Sequence, residues 1–139
     1  GLDREVVFRY IADAKILLNT SVSEGQSGTI AEAMMLGTLV FARDNPGNRH
    51  LFDLCEARAL ATLGPSTAEP IKGDGWEFHG VGILFNTPEG CFRALDALGL
   101  GKGGSEHECV QIARVRAREG VQTLSENEVA RWGEILELL

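Results

Sequence analysis

The apolar run Ile16-Leu17-Leu18 feeds a glycine-bearing turn that opens into a helical stretch ending at Gly37. This strand-turn-helix order constrains the chain more than any other feature. A short continuous apolar run is what a parallel strand buried on both faces produces. Ser27 suits the N-cap position, Gly28 lets the backbone come close to a ligand, and Thr29 to Leu36 runs in helix formers to a stop at Gly37. The expected class is therefore α/β.

From Ile30 to Leu36 every residue is apolar except Glu32, which predicts a helix buried nearly all round with one acid inside it. An unpaired buried carboxylate is expensive, and the helical neighbours Gly28, Thr29, Met35 and Leu36 offer no cation. Helical side chains lean toward the N-terminus, so Glu32 can reach toward the mouth of the turn. Glu24 approaches the same mouth from the loop. Free N–H groups at a helix start suit a phosphate. Two carboxylates would repel that anion and should instead engage sugar hydroxyls beside it, each charged hydrogen bond contributing about 1.5–3 kcal/mol. A diphosphate flanked by two sugars, which is a nucleotide sugar, satisfies every part of this pattern.

Glu24-x7-Glu32 with Ala33-Met34 and Gly37 resembles the signature of retaining glycosyltransferases of the two-domain GT-B class, the large group that includes sucrose synthases and bacterial mannosyltransferases. Leu39 to Ala42 resembles the next strand of that family and Asn45-Pro46-Gly47-Asn48 its glycine-bearing loop. Gly82 to Phe85 with Thr87-Pro88-Glu89 resembles the following strand and helix. The resemblance implies a partial Rossmann-like parallel sheet with flanking helices, the C-terminal, nucleotide-sugar half of a GT-B fold. It implies that Glu24 is the catalytic acid beside the donor hexose and that Glu32 holds the ribose hydroxyls. Gly25, Gln26, Ser27 and Gly28 would meet sugar and diphosphate through backbone amides, with Gly47 and Asn48 lining the pocket. Arg43 and Arg49 are the candidate diphosphate ligands.

The implied activity is transfer of a hexose from a nucleotide-diphosphate sugar to a hydroxyl acceptor with retention. A non-catalytic sugar-nucleotide-binding module and a sugar-nucleotide epimerase on the same fold are the alternatives. The chain contains no Asp-x-Asp, so neither a metal nor any other cofactor is expected; the nucleotide sugar is the donor substrate, and fixed dipoles and basic side chains must stabilise the leaving charge. A glycosidase, with two acids flanking the scissile bond, is rejected because Glu32 falls at the ribose position.

Residues 1–139 are expected to form a single partial domain: βα units over 5–98, an insertion or loop at 55–79, and C-terminal helices over 105–139. Asp3 to Ala12 reads as a helix with Val6, Val7, Tyr10 and Ile11 on one face, leading at once into a strand at 15–19. The chain thus starts in mid-fold, and an N-terminal acceptor domain is expected to be missing from it. Ile16-Leu17-Leu18 is then left as an exposed apolar edge, and the chain alone is expected to be inactive.

Thirteen basic and 20 acidic side chains give a net charge of −7, which disfavours nucleic acid and anionic membrane surfaces as partners. No stretch reaches the length of a transmembrane segment and none reads as a targeting peptide, so the expected location is the cytoplasm. Cys55, Cys91 and Cys109 lack zinc-site spacing and are expected to be reduced packing residues.

Thr87-Pro88 predicts a helix start, with Cys91, Leu95 and Leu98 at helical spacing and Gly99 as the stop. Ser105-x-x-Glu108 and Ser125-x-x-Glu128 are capping boxes that predict two further helices, the last docking through Val129, Trp132, Leu136 and Leu139. Gly99-x-Gly101-x-x-Gly104 matches a dinucleotide fingerprint but follows a helical pattern where a strand is required, so it reads as a link. His50 and His79 have no obvious partners, and His107 and Cys109 should face different ways.

Overall fold

The predicted alternation of helix and strand is present in the computed structural model, which describes residues 3–21 and 28–138. Helix α1 spans Arg4–Asp13, strand β1 Ile16–Asn19, helix α2 Gly28–Met35, strand β2 Leu39–Arg43 and helix α3 Pro46–Leu63. Strands β3 Lys72–Gly73, β4 Trp76–His79 and β5 Gly82–Phe85 follow, then helices α4 Pro88–Ala97 and α5 Glu108–Leu138.

The five strands form one sheet in the order β1-β2-β5-β4-β3. β1, β2 and β5 are parallel, with Leu17 opposite Val40 and Ala42 opposite Leu84. β4 runs antiparallel to β5, and β3 antiparallel to β4, with Gly73 opposite Trp76, so β3 points the same way as the parallel core. The sheet is therefore mixed rather than parallel throughout. The physical reason is two successive two-residue connections, Asp74-Gly75 between β3 and β4 and Gly80-Val81 between β4 and β5, each of which can join only antiparallel strands.

The segment 55–79, read as an insertion or loop, is not a loop throughout. Its first part is the second half of α3 and its last part is the β3-β4 hairpin, which widens the sheet. The alternation Trp76-Glu77-Phe78-His79 behind an Asp-Gly pair is the signal that marks the hairpin.

Two packed faces result. On one, Val40, Ala42 and Leu84 meet Ile30, Met34, Leu51, Phe52 and Cys55. On the other, Leu39, Phe41, Ile83 and Phe85 meet Trp76, Ala94 and Leu98. α5 contributes to both, through Cys109, Val110 and Ala113 on the α4 side and Ala117, Val121 and Leu124 on the α2 and α3 side. The two helices expected from the capping boxes are one. His107, not Ser105, caps α5, its Nδ1 accepting from the Cys109 N–H at 3.1 Å, and Ser125 lies within the helix. A capping box inside a sequence of good helix formers does not interrupt a helix whose outer turns are already propagating. The stripe Val129, Trp132, Leu136 and Leu139 falls outside the described side chains.

Local chemistry accounts for the remaining boundaries. Asp3 caps α1 by accepting from the Glu5 N–H. At the end of α2, Gly37 has φ +78° and donates to Met34, while Thr38 N–H reaches Ala33 O, the paired bonds of a Schellman motif. Thr87 caps α4 and Gly99, at φ +68°, ends it. On α1 only Ile11 of the predicted stripe is buried; Tyr10 is 69% exposed. α2 is likewise not buried all round: Ile30, Ala33 and Met34 are inside, whereas Met35 and Leu36 are exposed and Glu32 is half-buried. β1 is an edge strand with Leu18 50% exposed, so its apolar run is not covered on both faces.

Candidate functional site

In a parallel sheet every crossover helix begins beyond the carboxyl end of a strand, and ligands of open α/β sheets bind along that edge. Here α2 follows β1 and α3 follows β2, which brings the helix starts at Gly28 and Pro46 to one edge. Glu24, Gly25, Gln26 and Ser27 lie outside the described residues. Gly28 is the exposed first residue of α2, and among the described residues, its chain neighbours and its own helix backbone aside, nothing stands within 4 Å of where its Cβ would be.

Glu32 sits one turn further along α2. With Phe8, Ala31, Met35, Leu36 and Val121 it lines a largely apolar groove of about 390 Å3 between α1, α2 and α5. The Ile30, Ala33 and Met34 face of the same helix is the one that packs into the core.

The segment Asn45 to Asn48 is a helix start, not the loop read from its proline and glycine. Asn45 Oδ1 accepts from the Asn48 N–H at 2.8 Å, and Pro46 occupies the first turn, where no amide donor is needed. Asn45 Nδ2 donates to Ser21 O at 3.0 Å. Asn48 is fully buried, and its Nδ2 donates to Asn19 Oδ1 at 3.2 Å and to Arg43 O at 3.0 Å. Three asparagines thus stitch the ends of β1 and β2 together. Among the described residues the buried Asn48 Oδ1 has no hydrogen-bond partner. Gly47 is half-buried beside it.

The two candidate arginines differ. Arg49 donates to Asp44 through Nε at 2.9 Å and Nη2 at 2.7 Å, and Nη2 also meets Glu77. Hydrogen bonding to Asp44, and secondarily to Glu77, raises its already high pKa, so its charge is permanent and matched by two carboxylates. Arg43, at the end of β2, makes no side-chain ion pair among the described residues. Neither Asp44 nor Glu77 stands out in the sequence, because the pairing depends on the β3-β4 hairpin folding back over α3.

Elsewhere, His79 is not partnerless: its Nε2 lies 2.8 Å from Asp53 Oδ1, and its ring meets Phe52 edge-on at 5.9 Å. All three cysteines are free and buried. No group of three or more His, Cys, Asp or Glu side chains suited to a metal occurs among the described residues. Among the same residues no helix is long and apolar enough to cross a membrane. No family model, curated protein or solved structure matches this chain.

Proposed function

We propose that this chain is the donor-binding half of a retaining GT-B glycosyltransferase, which moves a hexose from a nucleotide-diphosphate sugar to a hydroxyl acceptor. The observation that carries the reading is the start of α2 at Gly28, which follows a parallel strand and shares the carboxyl edge of the sheet with a second helix start at Pro46, while Glu32, one turn in, lines the groove between α1, α2 and α5. Amide donors and the positive end of the helix dipole favour a diphosphate at such a start. The amides of Gly25 to Gly28 hold it in this reading, and Arg43, at the end of β2, takes the basic role in place of Arg49, which two carboxylates already occupy.

Glu32 accepts from the ribose hydroxyls, and its half-buried position strengthens charged hydrogen bonds relative to water. Glu24 stands beside the hexose, while Gly47 and Asn48 close the pocket. In the reaction the anomeric carbon's bond to the diphosphate oxygen breaks, the electron pair leaving with the diphosphate. A bond to the acceptor oxygen forms on the same face as that hydroxyl loses its proton. The acceptor-binding half is proposed to be a separate N-terminal domain.

Calorimetric titration of the intact protein with uridine, guanosine and adenosine diphosphate sugars tests the reading. Saturable binding of at least one, weakened by Glu32→Gln, is expected. Binding of none would sink it.

A further inference from the structure

A second cavity of about 240 Å3 opens beside the first turn of α3, at the carboxyl ends of β2 and β5, where the β3-β4 hairpin folds over them. Asp44, Arg49, Lys72, Trp76, Glu77 and Asn86 line it. None of the residues assigned above to the nucleotide sugar is part of it except Arg49, which the two carboxylates remove from that role.

We propose that this cavity binds a neutral polyhydroxylated ligand, a single sugar ring. Two carboxylates and two cations face the space, so their formal charges cancel. An anion entering it meets Asp44 and Glu77, a cation meets Arg49 and Lys72, and an apolar molecule strands all four without solvent. Adjacent hydroxyls, each both donor and acceptor, match interleaved carboxylates, guanidinium, ammonium and amide.

The lining is also set in advance. Arg49 is pinned by Asp44 through two nitrogens and by Glu77, and Lys72 stands directly opposite Glu77 in the hairpin register. Holding the Asp44, Arg49 and Glu77 side chains before the ligand arrives removes an ordering cost from binding. The Asp44-Arg49-Glu77 cluster also clamps the hairpin to α3, but a clamp alone leaves Lys72 and Asn86 unexplained. Both line the cavity, and neither side chain has a partner among the described residues.

The test is an amide-resolved NMR titration of the full chain with glucose, galactose, mannose and N-acetylglucosamine, and separately with inorganic phosphate. For at least one sugar, saturable shifts at Gly73, Trp76 and Glu77 with a millimolar midpoint are expected. Lys72→Ala and Asn86→Ala, at exposed positions that leave the clamp intact, should each weaken binding about tenfold. No shift with any sugar overturns the proposal. So do shifts that both variants leave unchanged, or shifts caused by phosphate in place of sugar. Each of these outcomes leaves the roles of Gly28 and Glu32 untouched, since the nucleotide-sugar titration reads those separately.

Discussion

Arg116 of α5 reaches across to Glu56 of α3 in a two-pronged pair, Nη2 to Oε1 at 2.6 Å and Nε to Oε2 at 3.2 Å, while its Nη1 donates to Gly64 O at 2.8 Å. The guanidinium is 5% exposed and the carboxylate 29%. This pair and the apolar contacts around it tie the last helix to the helix that begins at the site edge.

Removing one partner strands the other, which costs more than the pair itself contributes. Glu56→Ala should therefore destabilise the protein by about 3 kcal/mol, the low end for breaking a buried pair because Glu56 is partly solvated. Urea unfolding measures this directly. Replacing both by apolar side chains of similar size should recover most of the loss, and a double variant no better than the single one would refute that account.

Gly120 lies inside α5, where alanine is ordinarily better by about 1 kcal/mol. A Cβ there would stand 2.2 Å from Cys55 O, a backbone atom of α3 that cannot swing away. Gly120→Ala should accordingly destabilise by about 2 kcal/mol or more despite its propensity gain. Gly101→Ala, with no atom within 4 Å of the new carbon, serves as the control and should change stability by less than about 0.5 kcal/mol. Thermal melts of the two variants side by side decide it.

Burial, aided by Glu56, pushes the Cys55 thiol up to about 12, and burial, aided by Glu108, pushes Cys109 up to about 11. Burial moves Cys91 in the same direction. Unfolded thiols ionise near 9.0, so the folded state retains protons that the unfolded state has lost. Their contribution is intact below that pH and falls away as the pH rises toward 11 and 12. Stability measured from neutral to alkaline pH should drop over this window, and Cys55→Ala should flatten the drop. At neutral pH a thiol reagent should label none of the three until denaturant is added.

Glu32→Gln keeps the shape of the side chain and removes its charge. If Glu32 holds the ribose as proposed, losing that charged hydrogen bond should weaken nucleotide binding by about tenfold or more. Glu24→Gln should instead leave binding of the donor nearly intact and lower the transfer rate. Titration and single-turnover assays on the intact protein separate the two, and equal, negligible effects from both substitutions would remove these acids from the proposed site.

Much of the scaffold could be read from neighbours along the chain. Asp3 and Thr87 as caps, Gly37 and Gly99 as stops, and the apolar runs of β1, β2 and β5 each act within a few residues, so composition and spacing expose them. Asn45 was harder to read, because Pro46-Gly47 signals a turn and also suits the first turn of a helix; the bond from Asn48 N–H to Asn45 Oδ1 settles which. The start of α2 near Gly28 and the placing of Asn48 and Arg43 near the strand ends follow from the same local order.

The sequence by itself determined the βα rhythm and the helix starts, because capping, glycine stops and apolar periodicity are short-range effects. Only the tertiary structure decided that the sheet turns antiparallel at its far side. The same long-range folding gives Arg49 to Asp44 and Glu77, turns Glu32 toward a groove with Phe8 and Val121, and makes 108–138 one helix serving two faces. These outcomes depend on which surfaces meet after the chain has folded back on itself, and pairings separated by tens of residues leave no periodicity in the sequence between them.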